Sequence, residues 1–178
     1  VIPALTFKGF TELKTVELGS ALETIEQQAF TDCTSLQTVV FHDSPVNIAD
    51  AAPDANGILR GVFENCASLA SVDFGTGIET IGTQAFAGCA SLTEVLIPDS
   101  TQSIGDYAFR DCATLTYIKI GNGVTAITPE IFQNCSALQK VELGNGITDI
   151  PDNMFAGLVG LESVTFGSAV DKIGAEAF

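Results

Sequence analysis

Five cysteines are the residues of this sequence with the widest range of possible chemistry, because thiols bind metals, form disulfides and act as nucleophiles. Each lies three residues after a phenylalanine, and two further copies of that position hold Phe10 and Leu158 instead. Neither Phe nor Leu can replace a metal ligand or a disulfide partner. Zinc sites also need four converging ligands, usually from paired Cys-x-x-Cys motifs. The odd number and equivalent positions suit disulfide geometry poorly. We therefore interpret these residues as buried free thiols, with disulfides and a metal site as alternatives: Cys33, Cys66, Cys89, Cys112 and Cys135.

The remaining catalytic residue types do not assemble into a site. His42 is the single histidine and stands beside Asp43, whereas a Ser-His-Asp triad needs three converging side chains. The 22 acidic residues are spread over variable positions, which is typical of a solvated surface. We expect no acid, base and nucleophile to come together. The prediction is a protein that is not an enzyme and uses no cofactor.

Composition restricts the partners and the compartment. The chain has 178 residues, 46% of them hydrophobic, and carries a net charge of −15 from 7 basic and 22 acidic residues. Nucleic acid and anionic lipid both favour a basic surface, so we expect neither as a partner. The sequence contains no run of about 18 apolar residues, so we expect no membrane insertion. The sequence shows no basic segment followed by an apolar stretch, so no signal peptide or anchor is visible in it.

A repeat positions these residues along the chain. The phenylalanines of one column are 23 residues apart, apart from one interval of 33. Leucine follows each of the first seven by six residues, and a Val or Ile follows by nine. Isoleucine precedes every member of the column by five residues: Ile2, Ile25, Ile58, Ile81, Ile104, Ile127, Ile150 and Ile173. The phenylalanines themselves are Phe7, Phe30, Phe63, Phe86, Phe109, Phe132, Phe155 and Phe178.

Within each repeat the pattern predicts a short strand, a turn and a single helical turn. Leu115–Ile120 (LTYIKI) ends in the alternation of a strand, and Gly121 and Gly123 supply the positive φ of the following turn. The segment around each Phe reads as one turn of helix, with Pro129 suited to its first position. The residues just before the cysteine column tolerate the left-handed conformation that ends such a turn: Asp32, Asn65, Gly88, Asp111, Asn134 and Gly157.

One such unit cannot bury its own apolar face, but stacked copies cover each other. The fold class predicted is an α/β repeat solenoid, a right-handed curved array with one short parallel strand and one short helical turn in each 23-residue repeat. Seven strands at about 4.8 Å spacing give one sheet roughly 30 Å long. The strand side should be concave, because strands pack closer than helical turns. We expect a single domain over residues 1–178 with about seven repeats.

The strand motif and the AF-x-x-C-x-x-L element resemble the BspA-like, or treponemal-type, leucine-rich repeats. The element occurs as AFTDCTSL, AFAGCASL and AFRDCATL, and Ile81-Gly82 and Ile104-Gly105 precede two copies. The resemblance covers the whole chain and departs from the pattern at Phe10, at Leu158 and in the 33-residue copy. It implies a secreted or cell-surface protein of a bacterium or microbial eukaryote that binds host proteins or other cells. The ligand itself is not implied.

The strand faces offer the best-motivated binding site. Side chains on either side of each strand valine should point outward by period-two alternation. In the central copies they combine an aromatic anchor, an aliphatic neighbour and mixed charges, as small protein-binding patches do. The predicted ligand-binding residues on the concave face are Tyr117, Leu96, Lys119, Lys140, Glu94, Glu142 and Asp73. We expect an adhesion-type module that binds a protein or glycan, with a structural spacer projecting other domains as the alternative.

Ten extra residues fall within positions 42–61. Their placement is ambiguous, because Ile48 lies as far beyond Phe41 as Ile150 lies beyond Leu143. Asp50, Asp54 and Asn56 offer oxygen ligands, although no glutamate completes a calcium loop. A tolerated insertion, a binding lip and a calcium site stay open as interpretations.

The two ends of the sequence lack polar capping segments. The chain opens at Val1 and stops at Phe178, a core position of the repeat. Terminal repeats usually carry a polar outer face. We therefore expect either a fragment of a longer array or end-to-end self-association.

Overall fold

A computed structural model describes residues 1–43 and 45–178. In these residues the chain forms fifteen short strands and one turn of 3-10 helix, Pro129–Phe132. The strands in chain order are β1 (Thr15–Leu18), β2 (Thr24–Ile25), β3 (Thr38–Phe41), β4 (Val46–Ile48), β5 (Ala52–Pro53), β6 (Leu59–Arg60), β7 (Ser71–Asp73), β8 (Ile78–Ile81), β9 (Glu94–Leu96), β10 (Ser103–Ile104), β11 (Tyr117–Lys119), β12 (Lys140–Glu142), β13 (Asp149–Ile150), β14 (Ser163–Thr165) and β15 (Lys172–Ile173).

Equivalent strands of successive repeats pair in parallel and in register. Val16 lies opposite Val39, which lies opposite Val72, so the valine column runs from strand to strand. The same register joins β9 to β11, β11 to β12 and β12 to β14. Side chains of one column therefore lie over one another, and the prediction of a repeat solenoid is confirmed. The predicted single sheet instead forms two sheets, β1-β3-β7 and β9-β11-β12-β14.

A second ladder of parallel strands runs along the isoleucine column. It joins β2, β4, β8 and β10, with a bridge from Ile2 to Ile25 and a separate pair of β13 and β15. In this ladder Ile48 pairs with Ile25 and Ile81 and is 1% exposed. The assignment of Ile58 to the column is wrong, since Ile58 is 53% exposed. The extra residues therefore follow Ile48.

The phenylalanine column forms a stack of rings through the core. The centroids of Phe30 and Phe63 lie 5.0 Å apart, those of Phe63 and Phe86 lie 5.1 Å apart, and the planes are nearly parallel. Each of these rings is at most 1% exposed. Stacked ring pairs run from Phe7 to Phe109 and again join Phe155 to Phe178, so the core runs lengthwise through the repeats and not through one centre.

The predicted helical turn in each repeat is wrong for the described residues outside Pro129–Phe132. The segment around most phenylalanines of the column is a series of tight turns with two left-handed residues, such as Gln28 (φ 59°) and Asp32 (φ 62°) around Phe30, whereas only Asn65 is left-handed around Phe63. Their backbone groups bond to the neighbouring repeat, as Phe30 N–H does to the Val62 carbonyl at 2.9 Å. The fold is consequently strand and turn with almost no helix, and the α/β class does not hold.

The left-handed conformation predicted before the cysteine column is confirmed at every position named. The φ angles lie between 59° and 79° at Asp32, Asn65, Gly88, Asp111, Asn134 and Gly157. Asn and Asp tolerate this region because their short side chains bond to nearby polar groups. Here Asn134 Nδ2 donates to Asp111 Oδ1 at 2.7 Å, so the side chains also link neighbouring repeats.

The predicted positive φ after a strand is found at Gly75, which follows β7 (φ 56°), but not at the glycines after β11 and β12. The glycines after β11 and β12 are needed for a different reason. A Cβ at Gly144 would overlap the carbonyl of Gly121, and a Cβ at Gly121 would overlap the carbonyl of Pro98. Glycine is needed there because the backbones of successive turns approach too closely for any side chain.

The extra residues form an ordered antiparallel hairpin of β5 and β6. Asp54 closes its turn, since Oδ1 accepts the backbone N–H groups of Asn56 (2.8 Å) and Ile58 (3.1 Å). Arg60 pairs with Glu64 at 2.8 Å and lies 3.5 Å from Asp54. The buried Gln28 side chain donates to the carbonyls of Ala52 and Pro53, which fixes the hairpin to the body of the array.

Candidate functional site

The side chains on either side of each valine-column residue point outward, and we call the surface they form the front face. The predicted site residues all lie on it: Asp73 on β7, Glu94 and Leu96 on β9, Tyr117 and Lys119 on β11, Lys140 and Glu142 on β12. The strand register places Tyr117 between Glu94 and Lys140, and it places Lys119 between Leu96 and Glu142. Leu96 is 51% exposed.

Three of these residues form a compact cluster on β11 and β12. Lys140 Nζ lies 2.6 Å from Glu142 Oε1 and 5.0 Å from the centre of the Tyr117 ring, within cation–π range. The hydrogen bond from Lys140 lowers the pKa of Glu142, and Glu142 raises the pKa of Lys140. Partial burial, followed by the Glu142 charge, raises the pKa of Tyr117. All three groups therefore keep their ordinary charge near neutral pH.

The other four residues line an opening in the front face, which we call the front cleft. It lies where the sheet divides between β7 and β9 and has a volume of about 760 Å³. Asp73, Glu94, Leu96 and Lys119 line it, and so do residues that the sequence analysis did not single out, including Val72, Phe74 and Asp99. Sequence spacing could not reveal the cleft, because the repeat is regular across residues 71–96.

The strand ladder between these two repeats is interrupted at the front and continuous behind it. Behind the cleft, β8 and β10 pair through Thr80–Ser103 and Ile81–Ile104. Beside it, the rings of Phe63 and Phe86 stack as they do elsewhere in the column. None of the hydrogen bonds of the described residues joins β7 to β9. The cleft is therefore a local parting of two strands in an otherwise closed stack.

A second opening of about 480 Å³ lies on the turn side, between the turns that carry Phe132 and Phe155. In the described residues, no backbone hydrogen bond joins these two turns, whereas Phe109 N–H bonds to the Ile131 carbonyl one repeat earlier. The copy at Phe132 holds the 3-10 helix, and Pro129 opens that helix. Glu130, which holds the position of Gln28 in this copy, is not left-handed, whereas Asn134 is.

Most of the cysteine column is unreactive in this structure, and Cys33 differs because its hydrogen bond with Cys66 lowers its pKa. All five cysteines are free and buried, as predicted. Each thiol donates to the carbonyl of a phenylalanine in the preceding repeat, for example Cys135 Sγ to Phe109 at 3.1 Å and Cys112 Sγ to Phe86 at 3.3 Å. Burial raises the pKa of Cys112, and it raises that of Cys135 to about 12. A protonated, buried thiol is a poor nucleophile and a poor ligand.

The oxygen-rich residues of the hairpin are engaged in local structure. Asp54 closes the turn, and Asp50 Oδ1 accepts the backbone N–H of Thr83 at 2.8 Å and its hydroxyl at 3.0 Å. The N–H bonds of Asn56 and Ile58 lower the pKa of Asp54. Within the described residues, no group of three His, Cys, Asp or Glu side chains is arranged to hold a metal ion. His42 does not join Asp43 in a hydrogen bond or ion pair there; Asp43 instead accepts from Thr76.

Comparison with known families decides what kind of repeat this is. The sequence profile described as "BspA type Leucine rich repeat region" matches six copies over residues 1–52 and 56–178. The chain belongs to this BspA-type leucine-rich repeat family. Membership agrees with the resemblance inferred from the AF-x-x-C-x-x-L element, and it indicates a protein-interaction module.

Among the similar solved structures, that of a T. pallidum protein shares the architecture of this BspA-type chain. The leucine-rich repeat protein of T. pallidum is 26% identical, with a TM-score of 0.74 over 92% of this chain and 74% of that one. A leucine-rich repeat protein from Bacteroides ovatus is 20% identical over 99% and 66% of the two chains, with a TM-score of 0.38. A leucine rich cell surface protein from Faecalibacterium prausnitzii is 21% identical over 90% and 61%, with a TM-score of 0.42. A search of curated proteins finds no significant match.

The BspA-type array offers no membrane-spanning helix in the part of the chain that the structure describes. Its one helix there, Pro129–Phe132, has four residues.

Proposed function

We propose that this chain is a non-enzymatic binding module of a secreted or cell-surface protein, and that its front face holds a protein or glycan partner. The observation that carries the proposal is the front cleft, which gathers Asp73, Glu94, Leu96 and Lys119 around one opening. A concave opening lined by apolar and charged groups is where ligands bind most often. Family membership supports an interaction role.

Leu96 is the strongest candidate contact of the front face. Its aliphatic side chain is 51% exposed. A partner that covered this side chain would remove apolar surface from water, which is favourable. The neighbours of Leu96 across the register and along the strand are charged: Lys119 on β11 and Glu94 on β9. An apolar centre with a charged rim is the composition of a small protein interface.

Tyr117 and Lys140 supply a second contact beside the cleft. The ammonium of Lys140 lies over the ring and pairs with Glu142 Oε1 at 2.6 Å. Ordered side chains lose less entropy on binding than freely rotating ones. Tyr117 thus presents a half-buried aromatic surface in a fixed orientation next to Glu94.

A screen of immobilised extracellular-matrix proteins and glycans, followed by surface plasmon resonance on any ligand found, tests the proposal. We expect Leu96→Asp with Tyr117→Ala to weaken that ligand at least tenfold. The matched control is Val159→Asp, because Val159 is 94% exposed and lies outside the front face. Circular dichroism must show that all variants fold. Equal affinity of the front-face variant and the control would place the contact elsewhere.

The spacer alternative has its own support, namely the regular stacking of the phenylalanine column, which suits a rod that separates other domains. A spacer predicts that the isolated chain binds no ligand on the array and that front-face substitutions leave the activity of the full protein unchanged. Loss of that activity in Leu96→Asp, but not in Val159→Asp, would exclude the spacer.

A further inference from the structure

The front cleft exposes backbone groups that other strand pairs of the front face use for pairing. In a strand, the N–H and C=O groups of one residue point to one side, and those of the next residue point to the other side. On β7, Ser71 N–H bonds toward β3, so Val72 directs its groups toward the cleft. On β9, Ile97 N–H bonds toward β11, so Glu94 and Leu96 direct theirs toward the cleft. Backbone groups without partners are costly unless water or a ligand satisfies them.

Acceptors outnumber cationic donors among the side chains of the cleft. Three carboxylates line it, those of Asp73, Glu94 and Asp99, against the single ammonium of Lys119. Asp73 already accepts Gly75 N–H at 3.0 Å, and Asp99 accepts the backbone and side chain of Asn122. Among the described residues Glu94 has neither a side-chain hydrogen bond nor an ion pair. The opening therefore favours a ligand that donates several hydrogen bonds and carries positive charge.

Apolar side chains line the same space. Val72, Phe74, Leu96 and Ile97 belong to its walls alongside the carboxylates. An arginine side chain combines an apolar stem with a planar head of five donors, and it is a frequent anchor of protein interfaces. A flat guanidinium also suits a narrow opening between two strands that remain held together behind it by β8 and β10.

We propose that the front cleft receives an arginine side chain of a protein partner, with the stem along Leu96 and the guanidinium donating to Glu94, Asp73 and the unpaired strand carbonyls. This proposal rests on the proposed function of the front face and adds the chemistry of the partner residue. A lysine fits less well, because a point charge with three donors cannot serve carboxylates and carbonyls on both strands at once.

Nuclear magnetic resonance titration of the whole chain tests it, with acetyl-Gly-Arg-Gly-amide as the probe. The citrulline tripeptide is the matched probe, because it keeps the shape of arginine and lacks its charge. We expect the arginine probe to shift the amide signals of Val72, Phe74, Glu94 and Leu96 and to bind at least fivefold more tightly than the citrulline probe. Equal binding of the two probes, or shifts spread evenly over the acidic surface, would overturn the proposal.

Two sets of variants separate the cleft from general attraction to a chain of charge −15. Asp73→Asn with Glu94→Gln should abolish the localised shifts, while the amide oxygen introduced at position 73 still accepts Gly75 N–H. Asp149→Asn with Asp171→Asn removes the same charge away from the front face and should change little. Lys119→Gln should strengthen binding, because it removes the competing cation. Weaker binding in Lys119→Gln, or equal losses in the two acid pairs, would contradict the arginine assignment.

The outcome is separable from that of the proposed function. If a partner found by the screen depends on Leu96 and Tyr117 but the arginine probe leaves the cleft amides unshifted, the front face binds without an arginine in the cleft. If the arginine probe shifts those amides while no partner depends on Leu96, the cleft chemistry stands and the wider front-face proposal fails.

Discussion

The ring of Phe63 lies parallel to the ring of Phe86, with centroids 5.1 Å apart, although the strands that follow them, β7 and β9, share no backbone hydrogen bond in the described residues. Both rings are fully buried. The contact between these two repeats is therefore maintained by side-chain burial, by the ladder of β8 and β10, and by bonds between their turns, from Phe63 N–H to the Ala85 carbonyl at 2.7 Å and from Asn65 N–H to the Ala87 carbonyl at 2.8 Å. A strand ladder can open locally without separating the repeats, which is what makes a cleft possible in this fold.

Removal of one ring from the phenylalanine column should strongly destabilise the chain. Phe109 is fully buried, and its ring centroid lies 5.7 Å from that of Phe86. Phe109→Ala should lower the free energy of unfolding by about 3–5 kcal/mol, as other buried aromatic truncations do. Urea unfolding followed by circular dichroism measures the change.

The matched control for that variant is Cys112→Ala, three residues further on and equally buried. It removes one sulfur and one weak hydrogen bond to the Phe86 carbonyl, so the loss should be much smaller and the fold should remain. Comparable losses in the two variants would mean that the thiol column is structural in its own right.

Close approach of backbones predicts that a single methyl group at Gly144 is damaging. A Cβ there would overlap the carbonyl of Gly121 in the preceding repeat. Gly144→Ala should therefore destabilise by about 1–3 kcal/mol, the range for overpacking a closed site. Gly19→Ala is the matched control, because a Cβ at Gly19 meets no atom within 4 Å and its φ is not left-handed. In thermal melts, the change in melting temperature from the wild type should differ between the two variants in sign or size. Equal melting temperatures would contradict the close-approach explanation.

Much of the fold was accessible to sequence reasoning because repeated columns can be read without knowing any contact. Register between Val39 and Val72, burial of Cys66 and the left-handed conformation at Asn65 all follow from equivalent positions. The helical turn was wrong because one left-handed residue was foreseen in each turn, whereas Gln28 and Asp32 show two around a single phenylalanine. With two such residues in a turn, its backbone groups bond to the neighbouring repeat and not within a helix.

Sequence reasoning predicts the residues of the candidate site but not the cleft that they line. Alternation placed Asp73, Glu94, Leu96 and Lys119 on one face, and they lie there. β7 and β9 part between two repeats whose sequences fit the same 23-residue template. No residue type marks this parting, in contrast to Pro129, which does mark the irregular turn beside the second opening. Binding by the predicted residues stays a prediction.

Alkaline pH should destabilise the array through its buried thiols. Burial raises the pKa of Cys135 to about 12, whereas an unfolded cysteine ionises near about 8.5. Between these values the unfolded chain releases a proton that the native chain retains, so the free energy of unfolding falls as pH rises, by about 1.4 kcal/mol per pH unit for one cysteine. Below the unfolded pKa this contribution is fully present and constant.

Comparison with Cys135→Ala isolates this effect from tyrosine and lysine titration. Urea unfolding of both chains at a series of pH values from about 7 to about 10.5 should show a steeper loss in the wild type than in Cys135→Ala. Parallel curves would show that the native thiol ionises as readily as the unfolded one, against its burial.

Deletion of residues 49–58 should leave a folded array. Ile48 holds the isoleucine position of its repeat, and Phe63 lies fifteen residues later; removal of ten restores the five-residue spacing found at Ile150 and Phe155. None of residues 49–58 belongs to the buried core, although Ala49 packs against it. The segment is tied to the array by the bond of Ala49 N–H to the Ile25 carbonyl and by the bonds of Asp50 and Ala51 to Thr83. It is also tied by the buried Gln28 amide, which donates to Ala52 and Pro53 and would lose both partners. We expect a loss of about 1–3 kcal/mol with unchanged circular dichroism. Gln28→Leu in the same deletion should recover part of it, because no buried amide is then left without a partner. An unfolded deletion variant would instead show that the hairpin is needed to close the stack between β4 and β8.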